Sequence, residues 1–351
     1  LKVDINHRRH RFRERAQQYV KRLPPKQRLL LDAYRDGVNA GLKHLRVRPW
    51  EYLLLGAEPK PWTDADTLLC IDAMFLDLND DGRNQRELDI ARMRAVFPAQ
   101  LVAFLLSPSG HWEAPLQGQP SAAPEVPPAK VFNLRKTAAI PDADIAMRTP
   151  EFPGSNNFAV SGHLTGGAAI VANDMHLHLR VPNIWFRMRL RYRDAQGHMV
   201  DLNGLTLPGA PSLIVGSNGH VAWGFTNSYG DWMDWVRVDI DPDHPDRYRV
   251  PDGWATLQKH VETIQVKGDK AHKLVVKDTR WGPIMGTAPD GTPLALAWIA
   301  QSPRTHNLNI FELEQVRTVK QALDLAPTIG MPPQNFVAGD AQGHIGWTIT
   351  G

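Results

Sequence analysis

Residues 154–162 of this 351-residue chain read Gly-Ser-Asn-Asn-Phe-Ala-Val-Ser-Gly, and they lie where the composition and the hydrophobic periodicity of the sequence change. Just before them, residues 107–154 are rich in Pro, Ala, Gly and Ser and show little periodicity, which is typical of a linker or a removable spacer. Residues 1–106 carry a helical pattern, whereas residues 155–351 consist mainly of short β-prone runs separated by turn residues. We therefore predict an α+β fold with a helical part, a spacer and a strand-rich part.

The helical part has its clearest periodicity after Pro25, where apolar residues between positions 30 and 45 recur at helical spacing. We expect a helix there with one buried face. Thr63 and Asp66 have the spacing of a capping box ahead of an apolar run, so a second helix is predicted to begin at this point. A further helix is predicted for Glu87–Phe97, because a proline follows it directly.

The strand-rich part is predicted from β-prone runs at residues 158–160, 168–172, 185–192, 199–202, 212–215, 221–225, 235–240 and 345–349. The pentapeptide Asp-Ala-Gln-Gly-His occurs at residues 194–198 and again at 340–344. We interpret both copies as hairpin turns in which Gly197 and Gly343 adopt positive φ. One helix is predicted within this part, near Thr318–Ala326.

Composition places the chain in the ordinary globular range, with 42% hydrophobic and 22% charged residues and a formal net charge of +3. Much of the positive charge lies at His7–Arg15, which fits either a solvated helix face or, less well, a nucleic-acid-binding arm. Since Cys70 is the single cysteine, an internal disulfide and a cysteine-based zinc site are excluded, and its apolar neighbours predict a core position. No run of 18 apolar residues is present, so no membrane span is predicted.

The chain begins at Leu1, within charged helical sequence, and ends directly after a β-prone run. We therefore expect it to be a fragment that lacks both ends of a longer protein, including any signal peptide.

Several common catalytic motifs are missing from the sequence: the Gly-x-Ser-x-Gly elbow, His-Glu-x-x-His, the Walker loop and Gly-x-Gly-x-x-Gly. His176 and His178 would share one face of a strand, but no third metal ligand accompanies them, so we favour surface or pocket histidines. Asp77–Gly82 resembles the start of a calcium loop. Its closing position is Leu88 rather than a glutamate, which argues against an EF-hand and favours a polar loop that ends a helix.

Several segments of the chain occur in the same order and at the same spacing as the characteristic sequence blocks of a known family. Residues 154–162 resemble the start of the catalytic chain of the penicillin acylase (penicillin amidase) family of N-terminal-nucleophile hydrolases. Asn-Asp-Met-His-Leu at 173–177 and Gly-Ser-Asn-Gly-His-Val-Ala-Trp-Gly-Phe-Thr-Asn at 216–227 resemble later blocks of that family, as do Gln-Asn-Phe at 334–336 and Ile-Gly-Trp at 345–347. Pro-Trp-Glu-Tyr at 49–52 and Pro-Trp-Thr at 61–63 are similar to its small chain.

The resemblance implies a four-layer αββα sandwich and cleavage of the Gly154–Ser155 bond by the Ser155 hydroxyl, which yields a heterodimer of small and large chains. Residues 1–106 would belong to the small chain, 107–154 to the spacer, and 155–351 to the truncated large chain. A chain-terminal serine carries its own base, since an α-amino group titrates near ~7.7 to 8. Taken alone, Gly-Ser-Asn-Asn is more typical of a turn that leads into a strand.

The resemblance also assigns site residues. Asn227 matches the position whose backbone N–H helps to form the oxyanion hole, His176 a position whose backbone orients the nucleophile, and Leu177 and Val215 positions that line the acyl pocket. A core role for the two aliphatic residues, and a turn role for Asn227, remain alternatives.

A structural calcium ion is implied as well, with four ligands in the present residues and no organic cofactor. The implied ligands are Glu87, Asp231, the carbonyl of Met233, and Asp234. The alternative is a pair of surface carboxylates beside the aromatic residues Trp232 and Trp235.

The implied activity is hydrolysis of the side-chain amide of a small N-acyl compound, either a β-lactam or an acyl-homoserine lactone, in the bacterial periplasm or outside the cell. A catalytically silent, calcium-stabilised binding domain is the alternative. The family's second oxyanion donor and remaining calcium ligands lie in a later segment. Because losing one oxyanion donor costs ~10²- to 10³-fold in rate, residues 1–351 alone are expected to be poorly active.

Overall fold

The computed structural model describes residues 1–79, 84–107, 113–115, 117–133, 135–136, 154–177, 179, 181 and 183–351. The helices of these residues are α1 (Lys2–Arg9), α2 (Phe12–Val20), α3 (Pro25–His44), α4 (Trp50–Leu55), α5 (Asp64–Leu78), α6 (Gln85–Val96), α7 (Ala99–Leu105), α8 (Gly162–Thr165) and α9 (Val319–Leu325). Short 3₁₀ turns occur at Ile299–Gln301, Pro303–Thr305, Asn309–Glu314 and Ala326–Thr328.

The strands all follow the helices α1–α7. They are β1 (Gly154–Val160), β2 (Ile170–His176), β3 (Phe186–Arg193), β4 (Met199–Thr206), β5 (Val215–Ser217), β6 (Val221–Asn227), β7 (Met233–Arg237), β8 (Arg247–Val250), β9 (Gly253–Thr256), β10 (Gln258–Ile264), β11 (His272–Asp278), β12 (Ile284–Thr287), β13 (Pro293–Trp298), β14 (Gln334–Asp340) and β15 (Ile345–Thr350). Helices in one half and strands in the other confirm the predicted α+β class.

The main sheet has the strand order β15-β14-β6-β5-β4-β3 and is antiparallel throughout. Its core face packs against α9 and the 3₁₀ turn at Asn309–Glu314, where Leu202, Leu313 and Phe336 are fully buried. Smaller antiparallel sheets are formed by β12-β13-β7, β10-β11 and β8-β9. The first hairpin of the strand-rich part packs on the main sheet.

That hairpin, β1-β2, packs on the other face of the main sheet. Gly224 alternates with the core residues Trp223 and Phe225, so it faces the hairpin. A Cβ atom at Gly224 would lie 2.9 Å from both the Asn157 Oδ1 and the Asn173 Cβ. The hairpin can approach β6 this closely because residue 224 has no side chain.

The helical part departs from prediction in which side chains it buries. Helix α3 forms as predicted, but Leu30 and Leu45 of the predicted buried stripe are 36% and 48% exposed, while Leu31 is fully buried. The prediction is therefore correct only in part, since Tyr34, Val38 and Leu42 of that stripe are half-buried. Cys70 is likewise only half-buried.

Helix α5 begins as predicted, since Thr63 and Asp66 form a capping box. Its residues Leu68 and Phe75 are fully buried, packed against α2 and against residues of the strand-rich part such as Trp298. Helix α5 therefore joins the helical part to the strand-rich part.

The basic run at His7–Arg15 is solvated only in part, since the Arg8 and Arg13 side chains are 48% and 54% exposed. Arg11 and Arg15 donate to the same Asp278 carboxylate at 2.9 and 3.0 Å, and Arg13 pairs with Asp66 at 2.9 Å. His10 is buried and stacks on Phe12. The solvated-face interpretation is therefore wrong for Arg11 and Arg15, which are covered and paired with an acidic residue of another element. No helix among the described residues is long and apolar enough to cross a membrane.

Candidate active site

Ser155 lies at the start of β1, directly opposite Met175 of β2. Its Oγ donates a hydrogen bond to the Gly154 carbonyl oxygen at 2.7 Å. This contact holds the hydroxyl close to the carbonyl carbon of the residue before it. Alternation along the strand turns the Ser155 side chain towards the main sheet, while Gly154 is exposed on the opposite face of the hairpin.

Ser155 lines a cavity of about 80 Å³ between α5 and the main sheet. Four residues predicted from the sequence meet there: Ser155, Leu177, Val215 and Asn227. The remaining lining residues are Ile71, Met74, Leu78, Met175, Trp185, Leu207, Ile214, Phe225, Met331, Pro332 and Gln334. Since nearly all are apolar, the cavity suits a hydrophobic group placed next to a hydroxyl nucleophile.

Three of these residues come from the helical part and were not predicted as site residues. Ile71, Met74 and Leu78 lie on one face of α5, at the spacing that puts side chains one above another on a helix. The sequence did carry a signal, because the apolar run of α5 follows a capping box. Nothing in that run distinguishes residues that face a cavity from residues that face the core.

Asn227 is held firmly at the end of β6. Its Nδ2 donates to the Leu78 carbonyl at 2.9 Å, and its Oδ1 accepts a hydrogen bond from Gln334 Nε2 at 3.2 Å. The first contact ties the end of α5 to the end of β6. Both polar atoms of the side chain are therefore hydrogen-bonded within the protein, which leaves the backbone N–H as the group that can donate a hydrogen bond to a ligand.

The direction of that N–H follows from the strand ladder. In an antiparallel pair, the N–H and C=O of one residue point to the same edge of the strand, and the edges alternate. Phe225 directs both groups to the Asn173 side chain, at 3.1 and 2.8 Å, whereas the Ser228 N–H donates to the Pro333 carbonyl on the β14 side. Asn227 has the same position in the alternation of β6 as Phe225, so its N–H points away from β14.

His176 does not line the cavity. It pairs across the hairpin with Gly154, its side chain is exposed, and its Nε2 lies 3.0 Å from Asp174 Oδ2. A Cβ atom at Gly154 would lie 3.5 Å from the His176 Nδ1, so the ring rests against the residue that precedes the nucleophile. His178, the other histidine of the predicted pair, lies outside the described residues.

The predicted calcium ligands also come together. Carboxylate oxygens of Glu87, Asp231 and Asp234 all lie within 4.8 Å of one another. Two oxygens bound to one Ca²⁺ at ~2.3 to 2.6 Å are separated by at most about 5 Å, so the cluster has the right size. The Met233 carbonyl accepts a hydrogen bond from Asn84 Nδ2 at 3.0 Å, and a carbonyl has a second lone pair for a further partner.

Burial raises the pKa of Glu87, and the negative charges of Asp234 and Asp231 raise it further, although the Trp235 N–H donates to its carboxylate at 3.2 Å. Carboxylates gathered in this way repel one another unless a cation lies between them. The neighbouring cavity of about 410 Å³ is lined by Glu87, Asp231 and Met233, and also by Leu78 and Asn227. The carboxylate cluster thus adjoins the Ser155 cavity. Asp80–Gly82 of the calcium-like loop lie outside the described residues.

Comparison with known proteins gives a family match across the whole chain, since the model of the penicillin amidase family matches residues 1–351. The acyl-homoserine lactone acylase QuiP of Pseudomonas aeruginosa is 27% identical over all of this chain and 42% of that protein. The penicillin acylase 2 proenzyme of a Pseudomonas species is 28% identical over 91% of this chain and 41% of that protein. The chain thus spans less than half the length of these relatives.

Among solved structures, the thermostable penicillin G acylase from Alcaligenes faecalis is 25% identical to this chain, with a TM-score of 0.40. That match covers 48% of this chain and 30% of the acylase chain.

Proposed function

Because this chain belongs to the penicillin amidase family, we propose that the full-length protein is an amidohydrolase whose nucleophile is Ser155, made chain-terminal by cleavage after Gly154. The observation that carries the proposal is the cavity that gathers Ser155, Leu177, Val215 and Asn227. It places a hydroxyl nucleophile next to an apolar space that can hold an acyl group.

In the proposed reaction the Ser155 α-amino group takes the hydroxyl proton, and Oγ attacks the amide carbonyl of the substrate. The backbone N–H of Asn227 donates to the oxyanion, and a second donor comes from a later segment of the protein. The same α-amino group returns the proton to the leaving amine, and water then hydrolyses the ester on Ser155. His176 would orient the nucleophile through its backbone.

The substrate is proposed to be a small N-acyl compound with a hydrophobic acyl group. Each methylene buried in the Ser155 cavity contributes about 0.8 kcal/mol, so an aliphatic or aromatic acyl chain gains affinity from this lining. A β-lactam and an acyl-homoserine lactone both present such a group next to an amide.

We further propose that Glu87, Asp231, Asp234 and the Met233 carbonyl hold a structural Ca²⁺. Bound calcium would neutralise the carboxylates and tie α6 of the small chain to β7 of the large chain after cleavage. For the complete protein we propose a four-layer αββα sandwich, two associated chains, and a periplasmic or extracellular location. The packing of β1-β2 on one face of the main sheet and of α9 on the other supports this layering.

Intact-mass analysis and N-terminal sequencing of the full-length protein test the proposal. Two chains are expected, one beginning Ser155-Asn156-Asn157, and Ser155→Ala should remain uncut at that bond. Ser161→Ala is the matched control, because Ser161 lies at the other end of β1 and should not affect cleavage.

Turnover of chromogenic N-acyl substrates completes the test. Turnover that is lost in Ser155→Ala supports the enzyme. A single uncut chain from well-folded protein, with ligand binding but no turnover, would instead support a calcium-stabilised binding domain.

A further inference from the structure

His176 and Asp174 form a side-chain pair at the bond that has to be cut. The register of β1-β2 places His176 opposite Gly154, and Asp174, two residues earlier on β2, is exposed on the same face. The His176 Nδ1 is the ring atom that would lie 3.5 Å from a Cβ at Gly154, while Nε2 lies 3.0 Å from the Asp174 carboxylate. The ring is thus held between a carboxylate and the residue whose carbonyl would be attacked.

The protonation of the ring follows from its partner. An ionised carboxylate only accepts hydrogen bonds, so Nε2 carries a proton when it contacts Asp174. The imidazolium form of the ring carries its second proton on Nδ1. In that form the proton on Nδ1 is presented on the Gly154 side of the hairpin.

Ser155 and His176 lie on opposite faces of the hairpin, because Ser155 lines the cavity and the His176 side chain is exposed. When Oγ attacks the Gly154 carbonyl from the cavity face, the lone pair on the amide nitrogen develops on the opposite face. A proton donor on that face can protonate the nitrogen without inversion. A base beside Oγ would have to lie on the cavity face instead, so the position of His176 suits an acid.

We propose that His176, positioned by Asp174, donates the proton to the Ser155 nitrogen during self-cleavage, an inference that rests on the proposed function. The Oγ–C bond forms, the C–N bond breaks, and His176 Nδ1 gives its proton to the nitrogen. The proton from Oγ passes to water, and His176 regains a proton from water. Water then hydrolyses the Gly154 ester, which releases the Gly154 carboxylate and leaves Ser155 with a free amine and hydroxyl.

The test is the rate at which full-length precursor is converted to two chains, followed by intact mass. General acid catalysis typically contributes ~10²- to 10⁴-fold, so His176→Ala should slow cleavage by about 10²-fold or more. Added imidazole should restore part of that rate, and Asp174→Asn should slow cleavage by a smaller factor. His198→Ala is the matched control, since His198 is also an exposed histidine beside an aspartate, with its Nδ1 3.4 Å from Asp194 Oδ2 in the turn between β3 and β4.

The outcomes separate this inference from the proposed function. If wild type is never cut, the proposed function itself fails. If wild type is cut and Ser155→Ala is not, but His176→Ala is cut at the wild-type rate, only the present inference is overturned. A slow His176→Ala precursor that imidazole does not accelerate also overturns it, because the histidine would then act through structure alone.

Discussion

Gly343 and Gly197 occupy the same position in the two copies of Asp-Ala-Gln-Gly-His, and both turns are built alike. Each aspartate accepts hydrogen bonds on Oδ1 from the N–H groups two and four residues later: Asp194 at 3.0 and 2.8 Å, and Asp340 at 3.1 and 2.9 Å. The two glycines have φ of +84° and +88°. The predicted hairpin turns and positive φ angles are therefore confirmed. Such turns can be predicted because their conformation is determined by residues that are adjacent in the sequence.

The surroundings of the two turns differ, and this predicts unequal mutational effects. A Cβ at Gly197 would meet nothing within 4 Å, whereas a Cβ at Gly343 would lie 2.6 Å from the Gly162 Cα. We expect Gly197→Ala to cost about 1–2 kcal/mol from the left-handed backbone alone. Gly343→Ala should cost about 1–3 kcal/mol more, because backbone must move. Chemical denaturation of both variants measures the difference, and equal losses would contradict it.

The carboxyl group of Asp340 is expected to make the stability of the protein depend on pH. Burial raises the pKa of this carboxyl, but hydrogen bonds from the Val319 and His344 N–H groups, together with the His344 ring, outweigh burial and lower it. A lowered pKa in the folded state stabilises the protein above the unfolded value of about 3.9, and that contribution is lost as the pH falls through the folded value.

Asp340→Asn should therefore lower the free energy of unfolding at pH 7 by about 1.5–3 kcal/mol, with a smaller difference from wild type below pH ~3. Urea denaturation at both pH values checks this. A difference that does not change with pH would mean that the charge of Asp340 has no role.

At the scale of elements, helix α5 forms one wall of the Ser155 cavity, and Met74 lies in the middle of the face that does so. Met74→Ala should shift the preference of the full-length protein towards longer acyl chains, and Met74→Trp towards shorter ones. One methylene at about 0.8 kcal/mol corresponds to about fourfold in kcat/KM. Leu76→Ala is the control, since Leu76 packs in a different apolar cluster. If both Met74 variants kept the wild-type chain-length preference, α5 would not line the acyl pocket.

The elements were predictable where a local pattern sets them. Helices α3, α5 and α9 and strands β1–β4, β6 and β15 lie close to their predicted positions, because capping residues, prolines and apolar runs mark them. Strands β8–β13 were not predicted individually. In β10-β11 the apolar residues do not mark the buried face, since Val261 and Val275 are 65% and 56% exposed, so hydrophobic alternation gave no clear signal there.

The candidate site shows the same limit. The positions of Ser155, Leu177, Val215 and Asn227 in one cavity agree with the resemblance, while their catalytic roles stay predictions. Met74 and the other α5 residues could not be identified, because the contact between α5 and β6 joins segments about 150 residues apart through the bond from Asn227 to Leu78. Such a contact leaves no trace in local spacing.

At the scale of the whole molecule, a buried hydrogen-bonded side-chain pair links the helical part to the strand-rich part. His306 Nε2 lies 2.7 Å from Asp72 Oδ1, and the two side chains are 0% and 3% exposed. Removing one partner leaves the other buried without its hydrogen bond, which typically costs about 1–3 kcal/mol. We therefore expect Asp72→Ala to destabilise the full-length protein by this amount in urea denaturation. The control is Asp324→Ala, because the Lys320–Asp324 pair is 83% and 64% exposed and should contribute about 0–1 kcal/mol.

Calcium removal tests the other proposed link between the two parts. If Ca²⁺ joins Glu87 of α6 to Asp231 and Asp234, the full-length protein should unfold at a lower temperature in EDTA, and added calcium should restore it. At 100 times the dissociation constant, a ligand that binds only the folded state stabilises it by about 2.7 kcal/mol. Glu87→Gln should weaken this response, because the neutral amide repels its acidic neighbours less and binds the cation less tightly. Asp77→Asn, in the calcium-like loop, should respond like wild type. If Asp77→Asn lost the response while Glu87→Gln kept it, the ion would have to be assigned to that loop. The two chains would then be held together by buried side-chain contacts without a shared ion.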